Sequence, residues 1–413
     1  MKKYVKAVVI ALFTIITIGT YYIQTSFASS NYPQFTLKTI SGDESEVNDI
    51  SVHSNYQIKQ DGKVWLEETA EISKTGTTYM RDKSYYGEML KGYSVNKDYD
   101  YLMKNYRSFM RGNEGDPVTF AENDHYLVNV RIDYNYVSGY SNSEFTVNTY
   151  NKKTKKKASF TLPIPDYTKY DWINIQDVRL ANGKIFVATT NEMSELDKDG
   201  NYVETNYEGH IYTIDLQNNK MLKEEILLEK AFKEGHVYGL DRSILETSPY
   251  MVLVFDKFNA TETDEHVEDE MEVPIQQIMI IYNIETDETE VLNMQKVVKT
   301  SSVSYESRKG NTVFISTQND EKLTVYGYDL ESKKVASKQT FVLPKSMMES
   351  KYVIDGNRTF IIDNQKKGNT SFGTITAYDT KTGKLLYEGS IEIKGNKGLR
   401  SNEEMEFYNI NKH

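Results

Sequence analysis

A chain of 413 residues, 38% hydrophobic and 26% charged, can bury a large core and is neither a multi-span membrane protein nor a disordered one. It contains no cysteine, which excludes disulfides, thiolate metal sites, a cysteine nucleophile and a lipidated cysteine. A formal net charge of -11 argues against nucleic acid and against general adsorption to anionic lipid headgroups.

The chain opens on Lys2, Lys3 and Lys6, followed by an uncharged, mostly apolar run from Ala7 to Ile23. Gln24 and Thr25 end that run, and Ser26-Phe27-Ala28 puts small residues at the two positions a signal peptidase reads. At about 1.5 Å per residue the run is about 25 Å long, enough for a signal and just enough for a span. Residues 1–28 are therefore expected to be a cleaved signal peptide or an N-terminal anchor crossing the membrane through residues 7–23. Either leaves Ser29 onward outside, so the expected location is extracytoplasmic, secreted or anchored. Residues 29–49 are read as a linker and residues 50–413 as one repeat-built body.

Beyond residue 30 no long stretch shows apolar spacing of 3.6 over three turns. Instead a hairpin recurs. Its turn is Tyr150-Asn151-Lys152-Lys153-Thr154 in the first copy and Ile214-Asp215-Leu216-Gln217-Asn218 in the second. The later copies begin Tyr282-Asn283, Tyr328-Asp329 and Tyr378-Asp379 and end on Thr286, Ser332 and Thr382. Asp or Asn at the start of each turn can accept from backbone amides two residues on, and the Ser, Thr or Asn three later closes the other end. Gly383 supplies the positive φ that such a loop needs in the last copy. A strand precedes each turn, at Phe145–Tyr150, His210–Ile214, Gln277–Tyr282, Leu323–Tyr328 and Thr374–Tyr378. A more apolar strand precedes each of those, at Tyr126–Ile132, Lys184–Thr189, Met251–Phe255, Thr312–Thr317 and Arg358–Ile362, as expected of strands buried on both faces.

The copies are 64, 68, 46 and 50 residues apart, the period of a four-stranded blade with insertions. With the strand-rich stretch Ile50–Tyr93 the units number six, and Glu406-Phe407-Tyr408-Asn409-Ile410 restarts the motif near the end of the sequence. This predicts an all-β chain: a β-propeller of six or seven four-stranded blades, closed by pairing a C-terminal strand with N-terminal residues. Segment Ala377-Tyr378-Asp379-Thr380-Lys381-Thr382-Gly383-Lys384-Leu385-Leu386-Tyr387 resembles the repeat of pyrroloquinoline-quinone-type propellers, in which Asp-x-x-Thr-Gly-Lys is followed by two apolar residues and a tryptophan. Tyr387 stands in the tryptophan's place, and Trp65 and Trp172 fall elsewhere. The resemblance covers the blade turns and implies a fold class. In that family quinone catalysis uses a calcium and, commonly, a vicinal disulfide over the cofactor; the disulfide is impossible without cysteine, which argues against a quinone dehydrogenase.

Catalytic patterns are missing from the sequence. The histidines (His53, His125, His210, His236, His266, His413) are not spaced as a helix-borne zinc pair, and His210 and His125 read as strand-edge residues. Asp197-Lys198-Asp199-Gly200-Asn201 has glycine fourth, where a calcium loop of the EF-hand type needs it sixth, so it reads as a turn. Lys152, Lys153, Lys155, Lys156 and Lys157 form one basic cluster, read as a solvated turn with a phosphate or lipid patch as the alternative. Tyr85, Tyr86, Tyr93, Tyr99 and Tyr101 lie in the least blade-like stretch, Thr78–Arg111, and cover strand ends or line a sugar groove.

The sharpest anomaly is the insertion Asn259–Glu272, where Glu262, Asp264, Glu265, Glu268, Asp269, Glu270 and Glu272 crowd together. It reads as a solvated loop or as a contact for a basic partner or a cation. The sequence thus points to a monomeric, non-enzymatic, cofactor-free propeller. It would bind a protein partner at the outer face of the membrane or the cell wall. The alternative is an extracytoplasmic enzyme or binding protein for polysaccharide or a small ligand in the propeller channel.

Overall fold

The computed structural model describes residues 13, 14, 17, 32–82, 97–113, 115–134, 143–196, 202–233, 235–239, 244, 246, 248–257, 276–301, 303–319, 321–344, 352–364, 371–395 and 398–412. Two compact units are present. One comprises Met1–Ser94, Leu343–Val353 and Arg358–His413, the other Val95–Val342 and Ile354–Asn357. Among the described residues the strands form six antiparallel sheets, five with four strands and one with five.

The second unit holds four sheets, each a meander whose strands pair in chain order. The first is Phe120–Glu122, Tyr126–Tyr134, Ser143–Asn151 and Lys157–Pro163. The second is Trp172–Ala181, Lys184–Leu196, Tyr202–Asp215 and Lys220–Lys233, and the third Gly235–Gly239, Tyr250–Lys257, Gln276–Asn283 and Glu288–Asn293. The fourth is Ser304–Lys309, Thr312–Asn319, Lys322–Asp329 and Lys334–Val342. Every strand expected around the first four repeated turns lies within one of these, paired with the neighbour the hairpin assigns it.

Alternation along the strands loads both faces of the middle sheets. Val252 and Val254 pack with Val313 and Ile315 of the fourth sheet, whereas Met251, Leu253 and Phe255 pack with Phe186, Ala188 and Ile211 of the second. On its other face the second sheet meets the first through Val187, Tyr212, Phe145 and Val147. Gly209 sits where a Cβ would lie 2.9 Å from the Phe255 ring, so close sheet approach requires glycine there.

In the first unit one sheet runs Glu403–Lys412, Ile50–Gln60, Lys63–Ser73 and Gly76–Tyr79. Its first place is taken by a strand from the far end of the sequence, in register from Ile50 opposite Lys412 to Ile58 opposite Glu403. The restarted motif near the C-terminus therefore completes the first sheet, as its sequence suggests. The five-stranded sheet is Phe35–Gly42, Leu385–Ile393, Ser371–Asp379, Arg358–Asp363 and Tyr352–Asp355. Its edge strand Phe35–Gly42 corrects the linker reading of residues 29–49. Phe35 and Leu37 alternate inward and pack against Ile391 and Phe372, and the 3-10 turn Glu44–Val47 buries Val47. Tyr387 is buried in the same core, while Trp65 and Trp172 are exposed.

The repeated turns share one geometry. Asn151, Asp215, Asn283, Asp329 and Asp379 each accept, through Oδ1, the amide three residues on at 2.7–3.3 Å. The residue after that has positive φ in every copy: Lys155 (60°), Asn219 (52°), Asp287 (60°), Lys333 (56°) and Gly383 (70°). Four copies thus adopt the left-handed conformation without glycine. Two of these side chains reach the neighbouring sheet, where Asp287 pairs with Lys223 at 2.8 Å and Lys333 with Glu290 at 3.0 Å.

Helix enters where the sequence reading placed none. Lys97–Asn105 and Arg107–Met110 are α-helical, and Leu102, Phe109 and Met110 pack against Phe120 and Leu127 of the second unit's first sheet. The signal was present, since Tyr99, Leu102, Met103, Tyr106, Phe109 and Met110 follow helical spacing. Ala7–Ile23, read as signal or anchor, lies outside the described residues except at 13, 14 and 17. Among the described residues no helix is long and apolar enough to cross a membrane.

Candidate functional site

One strand of the second unit departs from apolar packing. In Tyr202–Asp215 the Gly209 backbone and the Ile211 side chain face the third sheet, and alternation turns Glu208, His210 and Tyr212 toward the first. Register sets Asn191 opposite Glu208, Thr189 opposite His210 and Glu224 opposite Tyr212. Lys169 and Tyr170, from the loop before Trp172–Ala181, complete the group.

His210 is fully buried. Its Nδ1 lies 3.0 Å from Glu224 Oε1, and its Nε2 lies 3.2 Å from both Glu208 Oε2 and the Tyr170 hydroxyl. The Tyr170 hydroxyl donates to Glu208 Oε2 at 2.9 Å, and Lys169 Nζ holds both oxygens of Glu208 at 2.8 and 2.9 Å. The imidazole stacks on Tyr212 with 8° between the planes. Asn191 donates to the Tyr212 hydroxyl and accepts from Thr189. Burial pushes the His210 pKa down, and the pull of Glu224 and Glu208 only partly offsets this. Burial raises Glu208, but donation from Lys169 and Tyr170 outweighs it and holds the carboxyl below its ordinary range. Tyr170 and Tyr212 are pushed well above the usual phenol range, burial being the largest cause in each.

These directions describe a neutral imidazole between two carboxylates. A neutral ring carries one N–H and serves one carboxylate at a time, leaving Tyr170 to serve Glu208. Among the described residues no group of three His, Asp or Glu side chains is arranged to hold a metal ion. The group forms a continuous chain of polar contacts from Lys169, which is half-exposed, through Glu208 and His210 to Glu224. The sequence reading placed His210 at a strand edge. Its burial was signalled only by the alternation Glu208, His210, Tyr212 on a face otherwise apolar.

The other expected residues fall as follows. Glu262, Asp264, Glu265, Glu268, Asp269, Glu270 and Glu272 lie outside the described residues, as do Asp197–Asn201, Tyr85, Tyr86 and Tyr93. Tyr99 and Tyr101 belong to the helix, and the Tyr101 hydroxyl donates to Glu122 at 3.0 Å, so both take part in packing. His53 meets Asn411 and the Tyr408 ring inside the first unit, and His125 is exposed. The basic turn is exposed and takes the shared hairpin geometry. It also touches the helix Arg107–Met110, a pairing the sequence did not announce: Lys157 Nζ donates to the Ser108 carbonyl.

No family model and no curated protein matches the chain. Among solved structures it is similar to the Dos1 propeller, with 14% identity over 69% of this chain and 74% of that one and a TM-score of 0.29. It is also similar to a protein from Lactobacillus plantarum, with 10% identity over 87% of this chain and 98% of that one and a TM-score of 0.26. A third is the polysaccharide lyase Uly1, with 9% identity over 67% of this chain and 57% of that one and a TM-score of 0.28. The neighbours are β-propeller proteins, and none marks the quinone type.

Proposed function

We propose that the chain is an extracytoplasmic β-propeller of six blades that serves as a non-enzymatic binding module at the outer face of the membrane or cell surface. The observation that carries the reading is the pairing of Glu403–Lys412 with Ile50–Gln60. It gives the first sheet the same four-strand layout as the chain-ordered sheets, which is how a repeat ring shuts without a free edge. Export rests on Lys2, Lys3, Lys6 and the run to Ile23. Fractionation with N-terminal analysis tests it: either Ser29 is the first residue, or the intact chain sits in the membrane fraction. A full-length cytosolic product overturns the address.

The partner contact we assign is the acidic insertion around Glu262–Glu272. Replacing Asn259–Glu272 with a short Gly-Ser linker should spare folding but remove a protein from a crosslinking pull-down of the native protein, and that association should weaken with salt. A linker variant that keeps every partner removes the insertion from the argument. One observation favours the second reading, an enzyme or ligand-binding protein: the acid–base group Glu208, His210, Tyr170 and Lys169. Under it, His210→Gln abolishes turnover of an exported polysaccharide while leaving the fold intact.

A further inference from the structure

On this acidic chain some exposed lysines find a carboxylate. Lys38 pairs with Glu392, Lys59 with Glu404, Lys74 with Glu44, Lys223 with Glu225 and Asp287, and Lys333 with Glu290. One group does not. Lys104, Arg107 and Arg111 stand exposed on and just after the helices, and Lys153, Lys155 and Lys156 stand exposed on the first repeated turn. Among the described residues, none of these six cations has a carboxylate within salt-bridge distance.

The two segments are more than forty positions apart, and packing holds them together. Tyr150, the residue before the turn, lies 5.8 Å from the Tyr106 ring and 5.9 Å from the Phe109 ring, centroid to centroid. Lys155 Nζ sits 5.9 Å from the centre of the Tyr150 ring. Lys157 donates to the Ser108 carbonyl, and Lys152 lies over the Tyr106 ring at 5.7 Å while bonding Glu122. Two nearby acids are committed inward, whereas Asp100 on the helix and Asp124 beside the turn are exposed. Asp98 is buried and accepts the Ile244 amide at 2.7 Å, and Glu122 accepts from Tyr101, Tyr106 and Lys152. Six exposed charges of one sign thus gather on a braced surface, with no carboxylate paired to them among the described residues.

We propose that this helix-and-turn surface is a binding site for a linear phosphate-bearing polyanion. Phosphate groups spaced along a flexible chain can meet several lysines and arginines at once and release the counter-ions those charges hold. A flat anionic membrane fits less well, because it would face the remaining surface of a molecule carrying -11, much of it within a Debye length of the contact. Large apolar side chains that could insert into a bilayer are not exposed on either described segment. The inference is independent of export and of the blade count.

The test uses the full chain and long-chain inorganic polyphosphate, with binding followed by fluorescence anisotropy across a salt series. Saturable binding is expected, weakening at least about a hundredfold between about 50 and 200 mM salt. The triple variant Lys153→Glu, Lys155→Glu, Lys156→Glu should keep its melting midpoint and lose binding at least about tenfold, with a shallower salt slope. Arg107→Glu should weaken binding too, since the helix forms half of the surface. Three results overturn the proposal. These are no saturable binding, binding that both variants retain, and tighter binding to phosphatidylglycerol vesicles or duplex DNA than to polyphosphate.

Discussion

Lys155, Asn219, Asp287 and Lys333 hold a backbone conformation that costs an L-residue about 1–2 kcal/mol, and two of them recover part of it through an ion pair to the next sheet. Substitution by glycine should therefore act unequally. Lys155→Gly is expected to stabilise by about 0.5–1 kcal/mol, and Lys333→Gly to gain less because its pair with Glu290 is lost. Urea unfolding of the two variants checks this, and an equal gain would show that the ion pair contributes nothing. His210 gives a second residue-scale prediction. Its pKa is lowered in the fold, so the unfolded chain binds more protons at acid pH. Its contribution is complete above about pH 6.5 and is lost as pH falls toward the folded value. Glu208, also lowered, adds a loss that begins only below about pH 4.3. Thermal melts between pH 7 and 5 should fall for the native chain and stay flatter for His210→Gln. Parallel curves would mean that the imidazole is not held neutral.

The strand Glu403–Lys412 is the element on which the first unit most depends. It pairs with Ile50–Gln60 from Ile50 to Ile58, and Phe407 and Ile410 reach the core shared with Phe35, Val52 and Ile72. Deleting Glu403–His413 removes those ladder bonds and bares a strand edge, so the melting midpoint should drop by more than about 5 °C. An unchanged midpoint would show the strand to be dispensable. The helix Lys97–Asn105 matters differently. It adds no strand, but with Arg107–Met110 it covers Phe120 and Leu127 and sets the cations of residues 104–111 beside the lysine-rich turn.

At the scale of the molecule, two compact units contain six sheets among the described residues, and the chain-ordered meander is their common rule. Cores lie between successive sheets of the second unit, and between the two sheets of the first. Far-UV circular dichroism of the purified chain should report helix well below about a quarter of residues, the level of ordinary mixed domains. A higher value would contradict both the repeat reading and the sheets described.

Strand positions and the turn chemistry of the repeat were legible in the sequence because both are local. Alternation over six residues and an Asp or Asn that bonds an amide three positions on need no distant partner. The restart at Glu406–Ile410 was legible too, because its motif matches the strands it replaces. What the tertiary structure decided depended on neighbours far away in the chain. Phe35–Gly42 becomes a strand because Leu385–Ile393 offers it an edge. His210 becomes a neutral, buried base because Glu224, Tyr170 and a facing sheet enclose it. Three of the five lysines that read as a solvated turn stand beside the cations of residues 104–111 because a helix some forty-five residues earlier packs on Tyr150. Burial and electrostatics are sums over space, and the sequence orders residues only along the chain.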